Sequence, residues 1–171
     1  LLLPCSAAIP SASAAIGVKA GDWAKYSVEA SSGAWGTTPT SGLAGVDYIK
    51  MEVKSVSGDV ATLSFKLAVT GVPGEQLMCE CDWDTGSGTS SGGSPPFPYP
   101  IIPTGLNKGD QVPGSPSIMI DDVVTKSYGG ADREVCYANL TGYSSYYGVY
   151  GGQEFYWDRA TGVLCEYVLS W

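Results

Sequence analysis

Glu80, Asp82 and Asp84 are the residues best spaced for chemistry. Alternate residues of an extended strand share a face, so these three carboxylates stand in a row, neighbours about 7 Å apart. Such a row repels itself, and a hard cation such as Ca2+ relieves the repulsion. Asp82-x-Asp84-x-Gly86 also opens like a calcium loop, but Gly93 stands where an EF-hand has its closing Glu. The plainer alternative is a solvated acidic strand face. Asp121 and Asp122 invite a glycosidase reading, yet adjacent strand residues point to opposite faces and cannot act together. The chain has no histidine. That excludes a Ser-His-Asp or Cys-His nucleophile system and removes the commonest general base. No catalytic residue is assigned, and the expectation is a protein that is not an enzyme.

Five cysteines, Cys5, Cys79, Cys81, Cys136 and Cys165, lack any Cys-x-x-Cys spacing, which argues against a zinc framework. In an oxidising compartment Cys79, Cys81, Cys136 and Cys165 are disulfide candidates, with Cys5 as the odd thiol or part of a staple. Cys79 and Cys81 share a strand face and do not easily bridge each other. Cys136 and Cys165 fall on inward parities of late strands, so a bridge between them is one candidate, and the pairing is not deducible from sequence. The sequon Asn139-Leu140-Thr141 makes Asn139 a glycosylation candidate and agrees with export. Tyr143, Tyr146, Tyr147, Tyr150, Tyr156 and Tyr167 form a late tyrosine cluster. It reads as core on one parity and as an amphipathic contact surface on the other.

The elements that carry these residues read as strands. In the closing segment, Val163, Cys165, Tyr167, Leu169 and Trp171 alternate with Leu164, Glu166, Val168 and Ser170, a period of two. Earlier strands are expected over 23–30, 46–56, 60–70 and 75–84, and later ones over 117–127, 133–141, 143–150 and 153–158, with Gly151-Gly152 as the turn before the last of these. Ile49, Met51, Val53, Leu63, Phe65, Leu67 and Val69 face inward. The Gly/Ser run and Pro95-Pro-Phe-Pro-Tyr-Pro100 between them form a loop whose aromatic half packs on a surface. No helical spacing is sustained, and 23 Gly and 11 Pro punctuate the strands. The expected fold is all-β: an antiparallel β-sandwich or flattened barrel with an extended N-terminal arm over 1–17 and one β domain over 18–171.

The arm carries Leu1, Leu3, Cys5, Ala7 and Ile9 on one parity, with Pro4 and Pro10 on the other. Proline suits an edge strand and not a central ladder. Ala12-x-Ala14 alternatively resembles a signal cleavage site, although no basic region precedes it. An extended apolar segment frays unless something ties it down. It either folds back on its own domain or adds to a neighbour's sheet by strand donation, and the neighbour is favoured.

The 9 basic and 17 acidic residues give a net charge of −8, with no Lys/Arg cluster. Phosphate backbones and anionic membranes are therefore poor partners. No apolar run approaches the roughly 20 residues of a membrane-spanning helix. Only 15% of residues are charged, which suits a surface covered by neighbours.

Val18-Lys-Ala-Gly-Asp-Trp-Ala-Lys-Tyr26 and Tyr156-Trp-Asp-Arg-Ala-Thr-Gly-Val-Leu164 resemble a group of exported archaeal β-rich surface proteins without an assigned activity. Ile101-Ile102-Pro103 and Leu106-Asn-Lys-Gly-Asp110 resemble that group's central turn. The likeness covers the two ends and the centre of the domain, not the arm. Separately, the layout of an arm and a sandwich is similar to archaeal threads and bundling pili, filaments built by donor-strand complementation, though without a shared motif. These resemblances imply an extracellular structural subunit that polymerises with itself through Leu1, Leu3, Cys5, Ala7 and Ile9. A monomeric surface β-barrel that binds a lipid or glycan is the alternative.

Overall fold

The computed structural model describes residues 15–29, 45–144 and 149–170. The expected interface residues Leu1, Leu3, Cys5, Ala7 and Ile9 lie outside the described residues. Among the described residues there is no helix. Five strands form the first sheet in chain order: β1 (Trp23–Ser27), β2 (Val46–Ser57), β3 (Val60–Val69), β4 (Gln76–Asp84) and β5 (Thr89–Ser91). Four form the second: β6 (Asp122–Tyr128), β7 (Ala131–Ser144), β8 (Val149–Asp158) and β9 (Leu164–Ser170). Every pairing is antiparallel, so each sheet is a simple meander.

Local chemistry explains these elements. In β2 and β3, apolar residues at every second position place Ile49, Met51, Val53, Leu63 and Phe65 in the core, while Lys50, Glu52 and Lys54 face away. Gly129 and Gly130 both take positive φ, 60° and 81°, as the two-residue turn between β6 and β7 requires. The second sheet contributes Cys136, Ala138, Phe155, Trp157 and Leu164 to the same core. Phe155 and Trp157 stack with planes 2° apart.

The Pro-rich connection is part of that core. Phe97, Ile101, Ile102, Val112, Ile118 and Ile120 are buried. Phe97 meets Tyr26 and Phe65 edge to face. Each sheet pins the connection with a tryptophan: Trp83 Nε1 donates to the Ile101 carbonyl at 2.7 Å, and Trp157 Nε1 to the Tyr99 carbonyl at 2.9 Å. A buried indole needs such an acceptor.

The sheets form a sandwich, not a closed barrel. β1 and β9 touch, but they share no ladder.

Three expectations need correcting. Residues 143–150 are not a strand of their own: Tyr143 and Ser144 end β7, and Val149 and Tyr150 begin β8. Gly151 and Gly152 are not a turn, because they pair with Gly142 and Thr141 inside the long β7–β8 ladder. A bulge breaks the alternation of β9. Tyr156 pairs with Glu166 and Trp157 with Leu164, which leaves Cys165 as the extra residue. Leu164 and Tyr167 therefore both reach the core.

Candidate functional site

The acidic row lies on β4 as expected, but its members have separate duties. Asp82 accepts a hydrogen bond from the Thr62 hydroxyl at 2.8 Å. Asp84 Oδ1 accepts from the Gly86 and Ser87 amides at 2.8 and 3.1 Å, capping its own loop. Those bonds, the Ser87 amide first, hold the Asp84 carboxyl below the usual range. Glu80 is exposed. Among the described residues, no three His, Cys, Asp or Glu side chains converge enough to hold a metal ion. Asp121 Oδ2 accepts from the Asn139 amide, and Asp122 Oδ1 from the Val123 amide, so these two carboxylates also work apart.

The candidate Cys136–Cys165 bridge does not form. Cys136 is on β7 and Cys165 on β9, with β8 between them. Two strand spacings come to about 9.5 Å, beyond the Cα separation a disulfide spans. Cys79, Cys81, Cys136 and Cys165 are all free thiols. Cys79 donates to the Ser94 carbonyl, Cys136 to that of Leu106 and Cys165 to that of Val163. Burial pushes Cys81, Cys136 and Cys165 up to about 11, so they stay protonated and are poor nucleophiles at neutral pH.

The recognisable segments converge on turns. Asp158 ends β8 almost fully buried, and its Oδ1 accepts from the Ala160 and Thr161 amides, both at 2.9 Å. Its Oδ2 accepts from Arg133 Nη1 at 2.6 Å. Burial works to raise the pKa of Asp158, but the Arg133 and Thr161 bonds outweigh it and leave the carboxyl below its usual range. Arg159 donates to the Leu106 carbonyl and to Asn107 Oδ1, joining the central turn to the closing one. Asp110 Oδ2 accepts from the Asn107 amide and closes that central turn. Ala15 joins the same region, its carbonyl accepting from Thr104. At the opening motif, Asp22 Oδ2 accepts from the Lys19 amide, and the Asp22 carbonyl accepts from the Val53 amide. The acids of all three segments shape backbone.

A shallow depression lies beside this junction, lined by Gly105, Asp132, Arg133, Glu134, Asp158 and Arg159. Both of its guanidinium groups are engaged, Arg133 with Asp158 and Arg159 with Glu134.

The outer face of the second sheet holds a cluster that the sequence reading overlooked. Lys126 Nζ lies 2.6 Å from Glu166 Oε2 and 3.7 Å from the centre of the Tyr156 ring. Tyr128 donates to the same Glu166 oxygen at 2.6 Å. Burial raises the Glu166 pKa, and the Lys126 and Tyr128 bonds more than reverse this. Tyr128 and Tyr156 are raised, first by burial and then by their carboxylate partners Glu166 and Glu154. Tyr137 lies 4.9 Å from Tyr156, ring centre to ring centre, because the two are directly paired across β7 and β8. Tyr167 does not join them: it faces inward against Phe155 and donates to Gln153. Tyr143, Tyr146, Tyr147 and Tyr150 have side chains outside the described residues. The signal for Tyr128 and Tyr137 was their parity with Lys126 and Asn139, visible only once β6 and β7 are aligned.

The remaining candidate is an edge. Among the described residues, β1 pairs only with β2, and β9 only with β8. These two edges adjoin at one side of the sandwich. Ala24, Tyr26, Val28 and Tyr167 pack inward beside them. The Tyr26 hydroxyl is buried there with no hydrogen-bond partner among the described residues. Trp23 at 64% and Leu169 at 43% exposure leave large apolar surface on the same two strands. Backbone donors and acceptors bordered by apolar side chains are what a further strand recognises.

Searches against protein-family models, curated proteins and solved structures give no match.

Proposed function

We propose that this chain is a structural subunit of an extracellular filament, in which the N-terminal segment of one copy, ahead of Ala15, completes the sheet of the next. The observation that carries the reading is the pair of adjoining edges on β1 and β9, each unpaired on its outer side among the described residues. That segment has the matching character, with apolar Leu1, Leu3, Ala7 and Ile9 on one parity. Main-chain hydrogen bonds supply affinity, and those side chains set the register. Burying the four contributes about 4–8 kcal/mol before ordering costs. Such a head-to-tail contact does not close on itself, so it propagates. The other prominent side-chain clusters support a structural role, since their carboxylates cap turns or bind neighbouring side chains. The resemblance to exported archaeal surface proteins supports the location.

Deletion of residues 1–15 tests the reading by electron microscopy and sedimentation. The full chain is expected to form fibres. The truncated chain is expected to stay monomeric with the same β-sheet circular dichroism, and to bind a synthetic 1–15 peptide at one per chain. Fibres from the truncated chain would refute strand donation, as would a full chain that remains monomeric at high concentration.

A further inference from the structure

Asn139 sits on β7 in the sequon Asn139-Leu140-Thr141. Leu140 packs against the core, so Asn139 and Thr141 turn to the opposite, outer face, where both are exposed. Tyr137, two residues earlier, shares that face. Asn139 Nδ2 donates one hydrogen to the Tyr137 hydroxyl at 3.2 Å. A primary amide carries two hydrogens there, so the second remains for substitution. Tyr156 backs the Tyr137 ring from the neighbouring strand. Opposite Thr141, β8 carries Gly152, which raises no side chain over the sequon. On the other flank the Asn139 backbone amide donates to the Asp121 carboxylate at 2.7 Å.

We infer that Asn139 carries an N-linked glycan whose first sugar lies against the Tyr137 ring. The inference rests on the exported location proposed above and is independent of assembly. In the transfer, Asn139 Nδ2 attacks the anomeric carbon of a lipid-linked oligosaccharide phosphate. The N–C bond forms, the C–O bond to phosphate breaks, the lipid phosphate leaves, and the amide gives one proton to a base of the transferase. No electrons are exchanged with an outside oxidant. The product keeps one N–H, enough to retain the bond to the Tyr137 hydroxyl. That bond holds the amide beside the aromatic ring, whose face offers apolar contact to the C–H side of a pyranose. The polar rim of Glu154 and Asp121 receives the sugar hydroxyls.

The test is secretion of the full chain from a cell whose oligosaccharyltransferase reads Asn-x-Thr, followed by intact mass and peptide mapping. A glycan mass is expected on the peptide containing Asn139, absent in Asn139→Gln and in Thr141→Ala. Tyr137→Ala is expected to lower the melting temperature of the glycosylated chain by about 2–4 °C more than that of the Asn139→Gln chain. Tyr137→Phe, which keeps the ring, is expected to preserve most of that difference. An exported, folded chain with bare Asn139 would overturn the inference and leave the filament reading standing. A chain that fails to export would sink the location itself, and the glycan with it. Equal losses from Tyr137→Ala in both backgrounds would overturn the sugar–Tyr137 contact.

Discussion

Asp158 links more of this fold than any other carboxylate described. It caps the closing turn with two backbone bonds and holds Arg133 with a third. Asp158→Ala strands these donors, and a loss of about 2–3 kcal/mol in urea unfolding is expected. Gly162, four residues on, has φ of 75°, and an added Cβ would run into the Ile102 carbonyl oxygen. Gly162→Ala therefore combines backbone strain with a collision against main chain and is expected to cost about 3 kcal/mol or more. A melting temperature within a degree of the wild type for either variant would contradict this account. The sequence showed Asp158, Thr161 and Gly162 as one motif. It could not show that Arg133 and Ile102, distant along the chain, set why those residue types are needed.

The strand edges are where elements decide assembly. Leu169 lies on β9, opposite Gln153, with its other side unpaired among the described residues. Leu169→Lys places a charge on a half-exposed edge position, which a folded domain tolerates within about 0.5 kcal/mol. The same change is expected to abolish fibre growth, measured by light scattering, because an added strand would bury the ammonium. Normal growth of this variant would exclude the β9 edge as the acceptor. Most strands were legible from alternation, because β2, β3 and β4 each bury one face. β9 was less so: its bulge at Cys165 is set by pairing with β8, and parity counted along the chain cannot detect an inserted residue. The Gly151-Gly152 pair misled for a related reason. Glycine permits a turn but does not demand one, and here the long ladder with β7 prevails.

For the whole molecule, charge governs behaviour. Copies carrying −8 repel each other, so raising salt from about 0.05 M to about 0.5 M is expected to speed fibre growth by screening. Growth that slows with salt would point to ion pairs as the driving contact instead. Acid acts through Asp22, Asp84, Asp158 and Glu166, whose folded pKa values all lie below their ordinary 3.8 or 4.5. A depressed carboxyl contributes stability that is complete above its unfolded pKa and is lost as pH falls through the folded one. The urea midpoint is therefore expected to hold from neutral pH to about pH 5 and to drop below about pH 4. Asp158→Asn should make that drop shallower, and an unchanged profile would remove Asp158 from the account.

By itself the sequence determined an all-β fold, the inward residues of its early strands and the absence of any histidine-based chemistry. These follow from residue type and a two-residue period, which are local properties. Tertiary structure alone decided the two separate meanders, the Tyr137–Tyr156 platform, the free thiols of β4, β7 and β9, and the β1 and β9 edges that stay unpaired among the described residues. Each of these depends on which strand lies beside which, and strand neighbours are chosen by packing between residues far apart in the chain.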